Sequence, residues 1–255
     1  FVDRATETLV VQPVAGGASV TTLLAPANGP GAKPVFVARN LPTWSPDGQQ
    51  IAFTSWDGNG DEIFVVAAAG GARRQVTHTR LSAEPMNGDD PLSPRKAQAD
   101  AGSPAWSPTD AQIAFALYPE TAGAQGGVYR VDPAGALPIR LVGLTPRWGP
   151  VWSTDGSSLL FVAAQSNKVD LYLARPDRWG ATNLTPSAGP AVDSAAWSPD
   201  GGEIVFAAGG DLYRLDRTSG ATQPIVQSSL RVAAPTWSPD GSKIAFTRSL
   251  DLIDR

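Results

Sequence analysis

His78 is the sole imidazole in a chain of 255 residues that has no cysteine. A Ser-His-Asp triad needs such a base beside an activated serine, yet the Gly-x-Ser-x-Gly turn that presents the serine in many hydrolases does not occur. With no thiol and one imidazole, thiolate nucleophiles, disulfides and histidine-rich metal centres are excluded. His78 is therefore read as a loop residue at the end of a strand. Among the carboxylates, Asp57-Gly58-Asn59-Gly60-Asp61-Glu62 alternates oxygen ligands as Ca²⁺ loops do, but lacks the glycine and distal glutamate spacing of an EF-hand. Asp89-Asp90 is read as a solvated pair. The sialidase order, Ser-x-Asp-x-Gly-x-x-Trp, is not met either, because here tryptophan precedes serine. The residue types thus point to no catalytic residue and no resident cofactor or metal, Ca²⁺ being the one ion the chain could accommodate.

The elements that carry these residues are set by one recurring phrase. It reads Trp44-Ser45-Pro46-Asp47-Gly48, Trp106-Ser107-Pro108-Thr109-Asp110, Trp152-Ser153-Thr154-Asp155-Gly156, Trp197-Ser198-Pro199-Asp200-Gly201 and Trp237-Ser238-Pro239-Asp240-Gly241. Recurrence at this period, each time before an apolar run such as Ile51-Ala52-Phe53 or Ile244-Ala245-Phe246, is the mark of a repeat architecture. Proline presets φ for a type I turn, aspartate tolerates the next position, and glycine supplies the positive φ from which a second strand leaves. Each tryptophan is expected to pack between neighbouring repeats, with its indole N–H on a backbone acceptor. The first full copy predicts strands over 35–44, 50–55, 62–67 and 74–77, with Ala69-Gly70-Gly71 turning between the last two. Four short antiparallel strands per unit make a propeller blade. The fold class is all-β, a β-propeller of four-stranded antiparallel blades in a single domain, with six blades favoured over five. Its units run over about 1–25 (partial), 35–80, 103–143, 149–187, 193–228 and 231–255 (partial).

Charge narrows the partners. The chain carries 20 Lys and Arg against 24 Asp and Glu, a net charge of −4, with no basic run longer than a pair. Nothing in this pattern tracks phosphates, so no nucleic acid is expected. No apolar stretch is long enough to insert into a membrane. Both ends interrupt strand patterns, and we expect the natural polypeptide to be longer.

The run Pro-x-Trp-Ser-Pro-Asp-Gly-x-x-Ile-Ala-Phe at 42–53 and 235–246, with Gly70-Gly71 before Val76-Thr77 and with Asn183-Leu184-Thr185, resembles the WD40-like (PD40) repeat of the TolB family. The resemblance covers nearly the whole chain. It implies a six-bladed propeller in the bacterial periplasm, cell envelope or extracellular space, acting without catalysis as a platform for a protein or peptide partner. Similar propellers also precede α/β-hydrolase domains in prolyl-oligopeptidase-like peptidases. The alternatives are therefore a gating propeller of a larger peptidase, or a propeller binding a sugar or small ligand.

Blade topology places the Ser-Pro-Asp-Gly and Gly-Gly turns at one end, a face expected to vary little. Departures should gather at the other end. The longest is the crossover over 80–102, with Glu84, Met86, Asp89, Asp90, Arg95 and Lys96; beside it lies the loop over 118–127, with Tyr118 and Glu120. Two adjacent insertions on a rigid scaffold are the expected partner-binding surface.

Overall fold

The computed structural model describes residues 2–3, 8–11, 21–24, 42–57, 60–79, 99–119, 125–186 and 189–249. All its regular elements are strands, grouped into two compact units, Phe1–Thr145 and Pro146–Arg255. In the first, β1 (Val2–Asp3), β2 (Thr8–Val11) and β3 (Thr21–Leu24) form an antiparallel sheet. Next come β4 (Thr43–Trp44), β5 (Gln50–Trp56), β6 (Asp61–Ala67) and β7 (Arg74–Gln75), then β8 (Ala99–Trp106), β9 (Ile113–Pro119), β10 (Gly127–Val131) and β11 (Ile139–Val142). The second unit holds β12 (Pro146–Trp152), β13 (Leu159–Gln165), β14 (Lys168–Ala174) and β15 (Ala181–Asn183), followed by β16 (Val192–Trp197), β17 (Glu203–Ala208), β18 (Asp211–Asp216) and β19 (Thr222–Val226). It ends in the pair β20 (Arg231–Trp237) and β21 (Ile244–Ser249). Every sheet is antiparallel in chain order, so the four-stranded blades of a propeller are present as the repeats predict. No helix is long and apolar enough to cross a membrane among the described residues.

The second strands of the four-stranded sheets carry apolar runs, such as Ile51-Ala52-Phe53 and Ile204-Val205-Phe206, because both of their faces are buried there. In β5, Ala52 joins Ile63, Val65 and Val76 against Ala99, Trp106, Ile113 and Phe115 of the following sheet. Ile51 and Phe53, pointing the other way by strand alternation, meet Leu9 with Phe64 and Val66. In the second unit, Ile204 and Phe206 pack with Leu160, Val162 and Leu171, while Val205 and Ala207 pack with Val232. Each fully buried Phe or Leu contributes about 1.5–3 kcal/mol. A stacked aromatic pair marks the second and third strands of all four four-stranded sheets: Phe53–Phe64, Phe115–Tyr129, Phe161–Tyr172 and Phe206–Tyr213, with centroids 5.3–6.0 Å apart.

The hairpin phrase folds as its residue types require. Gly48 N donates to Ser45 O at 2.9 Å, Ser45 Oγ donates to Asp47 Oδ1 at 2.5 Å, and Gln49 N donates to the same carboxylate oxygen at 3.0 Å. Ser45 Oγ in turn accepts Gln50 N at 2.9 Å. The same bonds recur at Ser153–Asp155, Ser198–Asp200 and Ser238–Asp240. Glycine holds φ of 68–70° in all four copies. The Ser153 hydroxyl and Ser157 N–H hold the Asp155 carboxyl down at about 2, and Ser238 with Ser242 does the same for Asp240. The second copy lacks the glycine; there Asp110 N turns to Ser107 Oγ at 3.2 Å.

Trp106, Trp152 and Trp197 are buried, and Trp197 Nε1 donates to Val151 O on the preceding sheet at 3.2 Å, as expected for an inter-blade tryptophan. Trp44 departs from that pattern, at 49% exposed. The Nε1 of Trp106 and of Trp237 is buried without an acceptor.

Candidate functional site

Of the residues expected to bind a partner, Glu84, Met86, Asp89, Asp90, Arg95, Lys96 and Glu120 lie outside the described residues. Tyr118 is half-buried on β9, opposite Asp100, and its hydroxyl lies 3.2 Å from Ser103 Oγ. Ser103 sits at φ 53° in the bulge between Gly102 and Ala105. Burial raises the Tyr118 pKa more than this hydrogen bond lowers it, which keeps the phenol neutral. The two ends of the crossover are described. Thr79 Oγ1 donates to Ala99 O at 3.0 Å, so residues 80–98 leave and return at one stitched point.

That stitch belongs to a larger lock around Glu62, which is fully buried on β6. Thr77 Oγ1 donates to Glu62 Oε2 at 2.5 Å; Thr79 N and Oγ1 donate to Oε1 at 2.7 and 2.9 Å. Thr77 Oγ1 also accepts Ile63 N at 2.8 Å, replacing a backbone carbonyl and ending β7 two residues before the expected boundary. Burial lifts the Glu62 pKa against the pull of these three donors, with Asp57 adding to the rise. His78, between the two threonines, is exposed.

The same lock recurs in the second unit. Thr185 Oγ1 accepts Leu171 N at 3.0 Å and donates to Asp170 Oδ1 at 3.3 Å, while Asn183 Nδ2 donates to Asp170 Oδ2 at 2.9 Å. At the matching register of β10 and β11 stand Gly127 and Val142. There a Cβ on Gly127 would run into the Val142 carbonyl, so backbone fills the space that the acid and threonine fill elsewhere. The Val-Thr and Leu-Thr recurrences were visible in the sequence; their acidic partners, lying across the sheet, were not singled out. In the loop read as a Ca²⁺ candidate, Asp57 Oδ1 accepts Gly60 N at 2.9 Å and Oδ2 accepts Gln75 Nε2 at 3.3 Å. Gly58 and Asn59 lie outside the described residues. Among the described residues no three His, Cys, Asp or Glu side chains gather to hold a cation.

A feature that the sequence reading passed over lies at the opposite, short-turn end of the second unit. Where β6 turns to β7 through Ala69-Gly70-Gly71, β14 turns to β15 through Arg175-Pro176-Asp177-Arg178-Trp179-Gly180. With Ser158, Leu173, Thr182 and Arg217, this turn lines a groove of about 420 Å³. Trp179 is 64% exposed there. Arg217 is fixed: its Nη1 donates to Gly201 O at 2.7 Å and its guanidinium lies 4.8 Å from the Trp197 ring centroid. The signal was two arginines and a tryptophan in a turn that elsewhere reads Ala69-Gly70-Gly71, Pro133-Ala134-Gly135 or Thr218-Ser219-Gly220.

Four-stranded antiparallel sheets, each with its first two strands joined by the Trp-Ser hairpin and packed face to face on a neighbour, define an all-β propeller fold. The family model described as the TolB beta propeller domain matches residues 86–252, and the chain belongs to that family. A crystal structure of TolB from Acinetobacter baumannii is similar at a TM-score of 0.60 and 18% identity, over 93% of this chain and 53% of that one. The chain thus spans about half the length of that TolB. A nidogen/laminin complex gives a TM-score of 0.60 at 11% identity, over 90% of this chain and 76% of that one. A puromycin-hydrolyzing peptidase from Mycobacterium tuberculosis gives 0.53 at 17% identity, over 89% and 34% respectively. At these identities the likenesses establish the fold alone. No curated protein sequence matches.

Proposed function

We propose that the chain is a non-catalytic TolB-like propeller that serves as a platform for a protein or peptide partner, in the bacterial cell envelope or outside the cell. The observation that carries this reading is the use to which the buried acids are put. Glu62 and Asp170, the buried carboxylates among the described residues, are engaged by threonine and asparagine donors of their own sheets. What remains for function is surface. The Glu62 lock holds Thr79, which also meets Ala99 O, so the two residues that bracket 80–98 are tied to a rigid sheet, the setting from which recognition segments commonly work. Family membership favours the same reading, as does the presence of a protein complex among the similar folds.

The test is capture. The immobilised chain, incubated with an envelope extract of its source organism, should retain a specific protein. Replacement of residues 80–98 by a short turn should abolish retention while leaving the thermal midpoint unchanged. A folded variant that still captures the partner would remove this surface from the account. The likeness to a peptidase supports gating as a second reading; a native mass larger by a whole domain, with a Gly-x-Ser-x-Gly turn in the extension, would favour it.

A further inference from the structure

The β14–β15 turn spends two arginines and a tryptophan where turn formation needs none of them. Gly180, at φ 107°, and Pro176 suffice to shape the backbone. Burying an exposed indole is worth more than burying most other side chains, and Trp and Arg are the residues most enriched at the energetic centres of interfaces. The groove lining has three guanidiniums and no carboxylate. Asp155 lies within electrostatic reach of Arg217, and Asp177 is exposed in the turn itself, so three arginines against these two carboxylates leave the patch with a net positive charge. This patch stands on a chain of net charge −4, which would repel an acidic ligand elsewhere.

We propose that the groove lined by Arg175, Arg178, Trp179 and Thr182 docks an acidic, extended peptide segment of a partner protein. The choice of peptide over other anions comes from its wall. β15 is the edge strand of its sheet, with Ala181 and Thr182 exposed, so main-chain donors and acceptors run along the groove beside the arginines. A peptide can add to such an edge while an apolar side chain covers Trp179 and flanking carboxylates meet Arg175 and Arg178. A volume of about 420 Å³ holds two or three residues, not a long polyanion. The proposal rests on the platform reading and places a second contact on the second unit.

The probe is fluorescein-labelled Glu-Asp-Leu-Asp-Glu, blocked at its C-terminus, titrated by anisotropy at low and moderate salt. Arg175→Glu with Arg178→Glu should weaken binding by about tenfold or more, and Trp179→Ala by about fivefold or more. Lys168→Glu with Lys243→Glu, the same charge change at sites outside the groove lining, should leave it within about twofold. Thermal midpoints verify folding of each variant. Equal losses in both double variants would reduce the effect to general electrostatics and overturn the proposal. So would saturable binding of a tetragalacturonate at the groove with the peptide inert, or no peptide binding to the parent chain. Failure of the peptide with intact partner capture removes this site alone; a folded 80–98 replacement that still captures the partner, with the peptide still bound, removes the 80–98 surface alone.

Discussion

Removing the Glu62 carboxylate tests whether the acid–threonine lock holds its sheet. Glu62→Ala takes the acceptor from two donors, Thr77 Oγ1 and Thr79 N, while Thr79 Oγ1 keeps Ala99 O. Thr79 is half-buried and can turn to water, but Thr77 is fully buried, so its stranded hydroxyl costs about 1–3 kcal/mol. The one buried methylene lost adds about 0.8 kcal/mol. Relief of the buried charge offsets part of this, leaving a net loss of about 1–3 kcal/mol. Glu62→Gln retains the oxygen that serves Thr79 and should cost about 1 kcal/mol. Urea unfolding followed by tryptophan emission measures each variant, and a double-mutant cycle with Thr77→Val should return a coupling of about 1–2 kcal/mol. A Glu62→Ala protein within about 0.5 kcal/mol of the parent, or strict additivity with Thr77→Val, would refute the lock.

Burial raises the Glu62 pKa, so its contribution is fully present below 4.5 and is lost as pH climbs through the raised value; Glu62→Gln should flatten that limb of a stability–pH curve. The turn carboxylates work in the opposite sense: Asp155 and Asp240 contribute above 3.8 and lose that contribution as pH falls through about 2, so Asp155→Asn with Asp240→Asn should flatten the acid limb. Trp197→Phe removes the bond to Val151 O, whereas Trp106→Phe removes a buried donor that has no acceptor; thermal unfolding should show Trp197→Phe to be the more destabilising by about 1–2 kcal/mol. Gly127→Ala drives a methyl group into the Val142 carbonyl at φ +150° and should lower the unfolding midpoint sharply, by about 2 kcal/mol or more.

The fold was legible because each residue of its phrase has a local duty. Serine and aspartate close the hairpin through their own side chains and glycine takes the positive φ, so the turn can be read without knowing what surrounds it. The locks were only half legible. Thr77 and Thr185 recur at fixed places, but their partners Glu62 and Asp170 lie 15 residues away along the chain and meet them only through sheet register. The Trp179 groove was missed for a different reason. Repeat-based reading assigns short turns to an invariant face, and Arg175-Pro176-Asp177-Arg178-Trp179 gains its meaning only when Ser158 and Arg217 from neighbouring turns close around it. In the first unit, the structure contributes the Thr79–Ala99 bond that brackets residues 80–98 and the Tyr118 hydroxyl beside Ser103 Oγ.

The most direct measurement of the binding account is amide hydrogen exchange on the chain with and without its captured partner. The account predicts slowed exchange in residues 80–98 and along the edge strand Ala181–Asn183, with the cores of β5, β9, β13 and β17 unchanged. Protection confined to other surfaces, or a partner that is consumed and released as product, would contradict it.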